Sequence, residues 1–284
     1  MTPGYEYALV AMLCLGLVDL VYQRGAAAGV QAHQFLMVQA WCFTPAITLY
    51  GLVTGTLALE TAMLWGMGAG LFVFVALYNF ALSLKSGSVS IVAPVFRLSF
   101  TVTAVLAVLV LGEPLTAFKL AGLALALAAV WLLLGAEARS APVAGAARAP
   151  LVQAVVAMAA MGVANFLYKV GAQTGGSPAT FIAGQAAAFL PLATAFAWSV
   201  DRGLRTTPAA WIHAGTAAAL FLLALVLLFE SLARGEASVL VPISQMGFVV
   251  TAAFGLVFLR EPFTMRKGAG LAFAVVARAC LAYS

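Results

Sequence analysis

Residues 87–133 read GSVSIVAPVFRLSFTVTAVLAVLVLGEPLTAFKLAGLALALAAVWLL, and residues 235–281 read GEASVLVPISQMGFVVTAAFGLVFLREPFTMRKGAGLAFAVVARACL. The two segments align without a gap, and the similarity continues upstream. Matching residues include Gly87, Ser90, Pro94, Glu113, Pro114, Thr116 and Lys119 in the first copy, and Gly235, Ser238, Pro242, Glu261, Pro262, Thr264 and Lys267 in the second. The chain therefore consists of two repeats, which we place at residues 1–135 and 150–284, with a linker at 136–149.

The composition is that of an all-α integral membrane protein. Hydrophobic residues make up 64% and charged residues 8% of 284 positions, with a mean hydropathy of +1.09. Soluble globular proteins carry about 25% charged residues, so a soluble chain is excluded. Apolar stretches of about 20 residues, long enough to cross a bilayer, recur throughout. We predict ten spans, at about 5–23, 33–54, 62–84, 88–111, 115–135, 150–172, 178–199, 209–231, 236–259 and 263–283.

Five spans per half is an odd number, so the second half should enter the membrane inverted, with a pseudo-two-fold axis in the membrane plane.

The net charge of +5 comes from basic residues scattered singly between spans, which indicates contact with lipid rather than with nucleic acid. Cys14, Cys42 and Cys280 lie in apolar runs without metal-ligand spacing. We therefore predict no metal, no cofactor and no nucleic-acid partner.

The repeated element G/R-E-P-x-T followed by K-x-x-G, at residues 112–122 and 260–270, resembles the EamA family of the drug/metabolite transporter superfamily. The resemblance covers essentially the whole chain. It implies ten helices around a central cavity and carriage of a small metabolite, typically outward across a bacterial inner membrane.

Two indications of orientation conflict. We call the side of the N-terminus side A and the opposite side side B. Side A carries Lys119, Lys169, Arg234 and Arg278, whereas side B carries Arg24, Lys85, Arg139, Arg148, Arg202, Arg205, Arg260, Arg266 and Lys267. The positive-inside rule then places side B in the cytoplasm and both termini outside. The family resemblance implies termini inside, so the orientation stays open.

Two charged residues lie well inside the predicted spans of the first half, and a charge near the bilayer centre costs roughly 2.5–3.5 kcal/mol. Asp19 lies in the first span and Arg97 in the fourth, at depths that an arginine side chain can bridge. Asn165 and Gln245 occupy the corresponding positions of the second half. The pair is either a structural ion pair or a substrate site. A zwitterion suits it, with its carboxylate on Arg97 and its ammonium group on Asp19.

Other polar or aromatic residues in the spans form a second set of candidate substrate-binding residues: Tyr22, Tyr168, Gln39, Gln185, Tyr78, Asn79 and Trp41. Pro94 and Pro242 predict helix kinks about one turn before them. Glu113-Pro114 and Glu261-Pro262 are typical of helix starts. Lys169 is expected to extend to the membrane interface, and the glycine-rich residues 66–70 and 268–272 are expected to pack against other helices.

The pattern favours a secondary carrier of a small polar or amphoteric metabolite such as an amino acid, working by alternating access. The family resemblance implies that this carrier is an exporter. Protons are a possible coupling ion, because a substrate that displaces Arg97 would leave the Asp19 carboxylate without its cationic partner. The alternatives are a transporter of another solute class (a nucleotide sugar, an organic cation or a drug), a membrane enzyme acting on an amphipathic substrate, and a scaffold. No motif of hydrolase or metalloenzyme chemistry is present, so we predict that the protein is not an enzyme.

Overall fold

The computed structural model describes residues 2–86, 89–134, 148–258 and 264–283. Within these ranges the chain forms twelve α-helices and no strand, as the predicted all-α class requires. The helices are α1 (Tyr5–Ala27), α2 (Ala32–Val53), α3 (Thr61–Ser86), α4 (Val89–Arg97), α5 (Ser99–Leu111), α6 (Ala117–Leu134), α7 (Arg148–Gln173), α8 (Pro178–Asp201), α9 (Pro208–Arg234), α10 (Ala237–Gln245), α11 (Gly247–Phe258) and α12 (Met265–Ala282).

Seven of the described helical stretches are long and apolar enough to cross a membrane. Two further apolar helices, Val95–Leu111 and Ala117–Leu133, are shorter. The expected fourth and ninth spans are each divided into two helices by a single residue, Leu98 and Met246. A count of ten spans therefore stays a prediction.

The helix breaks lie after the prolines and not before them as we expected. Met246, which follows the last residue of α10, comes four residues after Pro242, and Leu98 comes four residues after Pro94. The carbonyl group that Pro242 frees belongs to Ser238, which lies in the first turn of α10, so no earlier helix exists to bend. The break lies instead beside a close contact between two helices. The backbones of Gly247 and Gly16 approach so closely there that a Cβ on Gly247 would lie 2.9 Å from the Gly16 nitrogen.

Helices from the two halves pack on each other in corresponding pairs. Helix α3 packs on α7 and α8, and its counterpart α9 packs on α1 and α2. The equivalent helices α2 and α8 are antiparallel: Gln34 Nε2 donates to Asp201 Oδ2 (2.8 Å) at one end, and Thr180 Oγ1 donates to the Thr56 carbonyl (2.9 Å) at the other. Helices α6 and α12 are also antiparallel.

Glycine and threonine make the same contact twice between the halves. Thr103 Oγ1 donates to the Gly162 carbonyl at 2.9 Å, and Thr251 Oγ1 donates to the Gly16 carbonyl at 3.1 Å. These residues correspond in the sequence repeat. The hydroxyl groups therefore satisfy backbone carbonyls at the two places where broken helices cross α7 and α1.

The glycine-rich stretch of α3 is a packing surface, as predicted. A Cβ on Gly66 would lie 1.9 Å from the Phe181 carbonyl oxygen of α8, and one on Gly70 would lie 2.4 Å from the Gln185 carbonyl oxygen. Only glycine allows the two backbones to approach this closely.

Candidate functional site

Asp19 of α1 and Arg97 of α4 form an ion pair, with 2.5 Å between Arg97 Nη2 and Asp19 Oδ2. Arg97 is the last residue of α4, so its side chain leaves the helix at the break before α5. The Asp19 side chain is 18% exposed and the Arg97 side chain 24%. The predicted contact is present, and both partners stay partly accessible.

Tyr22 and Gln39 lie beside this ion pair. Tyr22 follows Asp19 by three residues and therefore shares its face of α1, and it lies within electrostatic range of both Asp19 and Arg97. Its hydroxyl donates to Gln39 Oε1 of α2 at 2.9 Å, and its ring packs edge-on against Phe35. Asp19, Arg97, Tyr22 and Gln39 thus form one group of polar side chains in the first half, which we call the polar cluster.

The corresponding residues of the second half have different surroundings. Tyr168 donates to Gln185, as Tyr22 does to Gln39, but this pair is buried and packs against Phe181 and Phe229. Asn165, the counterpart of Asp19, is 5% exposed, and its Nδ2 has no hydrogen-bond partner among the described residues.

Gln245, the counterpart of Arg97, is half-buried and makes no hydrogen bond to Asn165. The structure therefore brings the acid and the base together in the first half but does not join their neutral counterparts in the second. Asp19 and Arg97 are hydrogen-bonded to each other, whereas Asn165 and Gln245, which occupy the equivalent positions of the repeat, are not.

The hydrogen bonds and ring contacts of Trp41, Tyr78 and Asn79 within the described residues are made to residues outside the polar cluster. Trp41 Nε1 donates to Thr194 Oγ1 at 3.0 Å, and its ring faces Trp211. Trp41 lines a groove of about 780 Å³ between α2, α8 and α9. Tyr78 stacks among aromatic rings, and Asn79 Nδ2 donates to a carbonyl one turn earlier in its own helix, at 2.8 Å.

Sequence reasoning missed the role of Glu113. We expected Glu113-Pro114 to start a helix, but α6 begins at Ala117, and Thr116 accepts from the backbone N–H of Lys119 at the start of that helix. Glu113 instead accepts hydrogen bonds from backbone N–H groups at the start of α10, more than 120 residues away. A carboxylate that reaches across the halves leaves no local signal in the sequence.

Lys169 does not extend to the membrane interface as we expected. It is 9% exposed, and its ammonium group donates to the carbonyls of Leu232 (2.8 Å) and Gly235 (2.6 Å). These carbonyls lie at the C-terminal end of α9, where helices leave acceptors unsatisfied. A lysine is well suited to this position, because the helix dipole is negative there.

The sequence profile of the EamA-like transporter family matches residues 2–135 and 149–283. The chain belongs to the EamA-like transporter family. Members of this family are membrane transporters of the drug/metabolite type, so this chain is a multi-pass membrane protein that handles a small molecule within a lipid bilayer. The match confirms the family that the sequence resemblance indicated.

A solved crystal structure of another protein is similar in fold. It aligns with a TM-score of 0.82 at 17% identity, over 98% of this chain and 95% of its own. No curated protein matches this EamA-like chain. The comparisons therefore establish the family and the fold, and the polar cluster carries the argument about substrate.

Proposed function

We propose that this EamA-like protein is a secondary carrier that exports a small zwitterionic metabolite of the amino-acid class by alternating access. The observation that carries the proposal is the partly accessible Asp19–Arg97 ion pair. We further propose a bacterial inner membrane as its location and Asp19, Arg97, Tyr22 and Gln39 as the core of its substrate site.

Alternating access requires two halves that can exchange roles, and we propose ten spans in two inverted repeats. The antiparallel packing of equivalent helices supports this arrangement. Gly122 of α6 meets Leu281 of α12, and Gly270 of α12 meets Leu133 of α6. Two equivalent helices that run in opposite directions are related by an axis perpendicular to them, which in a membrane lies in its plane.

The chemistry of the polar cluster favours a zwitterion. Arginine offers a planar fork of N–H donors that fits a carboxylate, and aspartate offers acceptors to an ammonium group. Each end of an amino acid could therefore replace one partner of the ion pair without leaving a buried charge unpaired. The Tyr22 hydroxyl and the Gln39 amide add neutral hydrogen-bonding groups at the same place.

Counterflow into liposomes tests the proposal. Purified protein is reconstituted with a mixture of labelled amino acids, nucleotide sugars, organic cations and drugs. We expect exchange of an amino acid and, in Arg97→Ala and Asp19→Ala, a loss of at least about tenfold, because each removes one charge-assisted contact. Glu230→Gln is a matched control, since Glu230 pairs with Arg234 within one helix.

Three results would contradict the proposal in different ways. Exchange of another solute class would show that the substrate is not an amino acid. Covalent turnover of an added compound would indicate an enzyme. Loss of folded protein in both alanine variants, with Glu230→Gln unaffected, would leave the Asp19–Arg97 pair a purely structural contact.

We also propose that protons drive transport through Asp19. A substrate that displaces Arg97 leaves the carboxylate without its cationic partner, which favours proton binding. Export should then respond to an imposed pH gradient, and Asp19→Asn should keep exchange but lose that response. A wild-type rate that ignores the gradient would make the protein a facilitator.

A further inference from the structure

Glu113 of the first half binds the start of α10 in the second half. Its Oε1 accepts from the backbone N–H of Ala237 at 2.8 Å, and its Oε2 accepts from the backbone N–H of Ser238 at 2.9 Å and from the Ser238 hydroxyl. Glu113 is 9% exposed and Ser238 is wholly buried. A carboxylate from one half therefore satisfies N–H groups that the helix of the other half leaves free.

A second contact joins the same two segments. The Lys119 ammonium group donates to Glu236 Oε2 at 2.6 Å and to the Pro114 carbonyl at 2.6 Å. Lys119 is wholly buried, whereas the Glu236 side chain is 34% exposed. A buried ammonium group needs its anionic partner, because separation without access to water would leave an uncompensated charge.

The sequence repeat does not preserve the acid Glu236. The residue that corresponds to Glu236 is Ser88, which carries no charge, and the residue that corresponds to Lys169 is Gln23. The acids Glu113 and Glu261 and the bases Lys119 and Lys267 are repeated. The repeat therefore supplies equivalents of Glu113 and Lys119 but no acidic equivalent of Glu236.

We propose that Glu113 and the Lys119–Glu236 pair form a latch between the halves that closes the polar cluster from side A. This inference rests on the alternating access proposed above. Exposure of the site to side A requires the latch to break, and its carboxylates, ammonium group and N–H groups then become hydrated. Because its contacts form only while the two segments meet, the latch biases the resting carrier toward the conformation that is closed to side A.

Pulsed electron paramagnetic resonance measures this bias directly. Leu115 and Ala233 are exposed residues on side A, one from each half, and they take spin labels in a chain whose native cysteines are replaced by alanine. In nanodiscs the unaltered latch should give mainly short distances. Lys119→Met, Glu236→Gln and Glu113→Gln should each raise the fraction of long distances by roughly ten- to a hundredfold, because each removes a charge-assisted contact.

Glu230→Gln is the matched control, since it removes the same charge on the same side but breaks a pair within α9. Its distances should match those of the unaltered latch. Labels at Ala28 and Leu204, both exposed on side B, report whether side B closes as side A opens. If Lys119→Met does not fold, Glu236→Gln decides, because the Glu236 side chain is partly exposed.

Unchanged Leu115–Ala233 distances in folded Glu236→Gln and Glu113→Gln would overturn the latch, as would an equal shift in Glu230→Gln. The label distances need no substrate. Failure of amino-acid counterflow would therefore refute the proposed function, and the label distances would still test the latch. Unchanged distances in an actively exchanging protein would refute the latch alone.

Discussion

Helix α3 presents Gly66 to α8 so closely that a methyl group does not fit between them. A Cβ on Gly66 would lie 1.9 Å from the Phe181 carbonyl oxygen, whereas real Cβ atoms stay at least 3.0 Å from such atoms. The obstacle is backbone, which cannot turn aside as a side chain can. Gly66→Ala must therefore separate the two helices locally by about 1.1 Å.

The cost follows from the nature of helix packing in a bilayer, which depends largely on van der Waals contact. A gap of about 0.5–1 Å forfeits a quarter to a half of the attraction between the atoms concerned, and overpacking typically costs about 1–3 kcal/mol. We expect Gly66→Ala to lower the free energy of unfolding by about 2 kcal/mol and the melting temperature by about 4–8 °C. Thermal unfolding in detergent, followed by tryptophan fluorescence, measures the change.

Gly68→Ala is the control for this experiment. It makes the same substitution two residues further along α3, where the nearest atom to a Cβ is Leu167 Cδ1 at 3.5 Å, an ordinary contact distance. Its melting temperature should stay within about 2 °C of that of the unaltered protein, because no atom has to move. Equal melting of the two variants would refute the argument that close approach at Gly66 sets the packing of α3 on α8.

Two further predictions concern hydrogen bonds made by aromatic residues. Tyr168→Phe removes the donor to a buried glutamine, so it should destabilise the protein by about 1–3 kcal/mol in the same unfolding assay. Tyr22→Phe should change stability less, and it should weaken substrate exchange in liposomes. Thr194→Val removes the acceptor of the Trp41 indole N–H, so the tryptophan emission spectrum should shift while exchange is retained; a loss of exchange instead would place Trp41 in the substrate path.

The repeat and the ion pair were predictable because both depend on local rules. A charge inside an apolar span needs a partner, and Asp19 and Arg97 are the two charged residues that fall well inside the predicted spans of the first half. The contact surface at Gly66 and Gly70 was predictable in the same way, since closely spaced small residues in a membrane helix indicate close packing.

The contacts of Glu113, Lys119 and Lys169 were not predictable, because each joins segments 63 or more positions apart. Each of these residues also has a sufficient local explanation, as a helix-start acid or as a basic residue at the interface. The packing of whole helices decides which distant segment of the chain lies next to each of these residues. The unequal surroundings of Tyr22 and Tyr168 were hidden for the same reason, since the repeat makes the two residues equivalent and only the fold distinguishes them.

Helices α2 and α8 are fastened to each other at both ends, by Gln34 with Asp201 and by Thr56 with Thr180. Because the two helices belong to different halves, this seam limits the ways in which the halves can move. Separation along its length would break polar contacts at both ends at once, whereas rotation about it breaks neither. We therefore expect any relative movement of the two halves to be a rotation about the α2–α8 seam, with these two helices staying in contact.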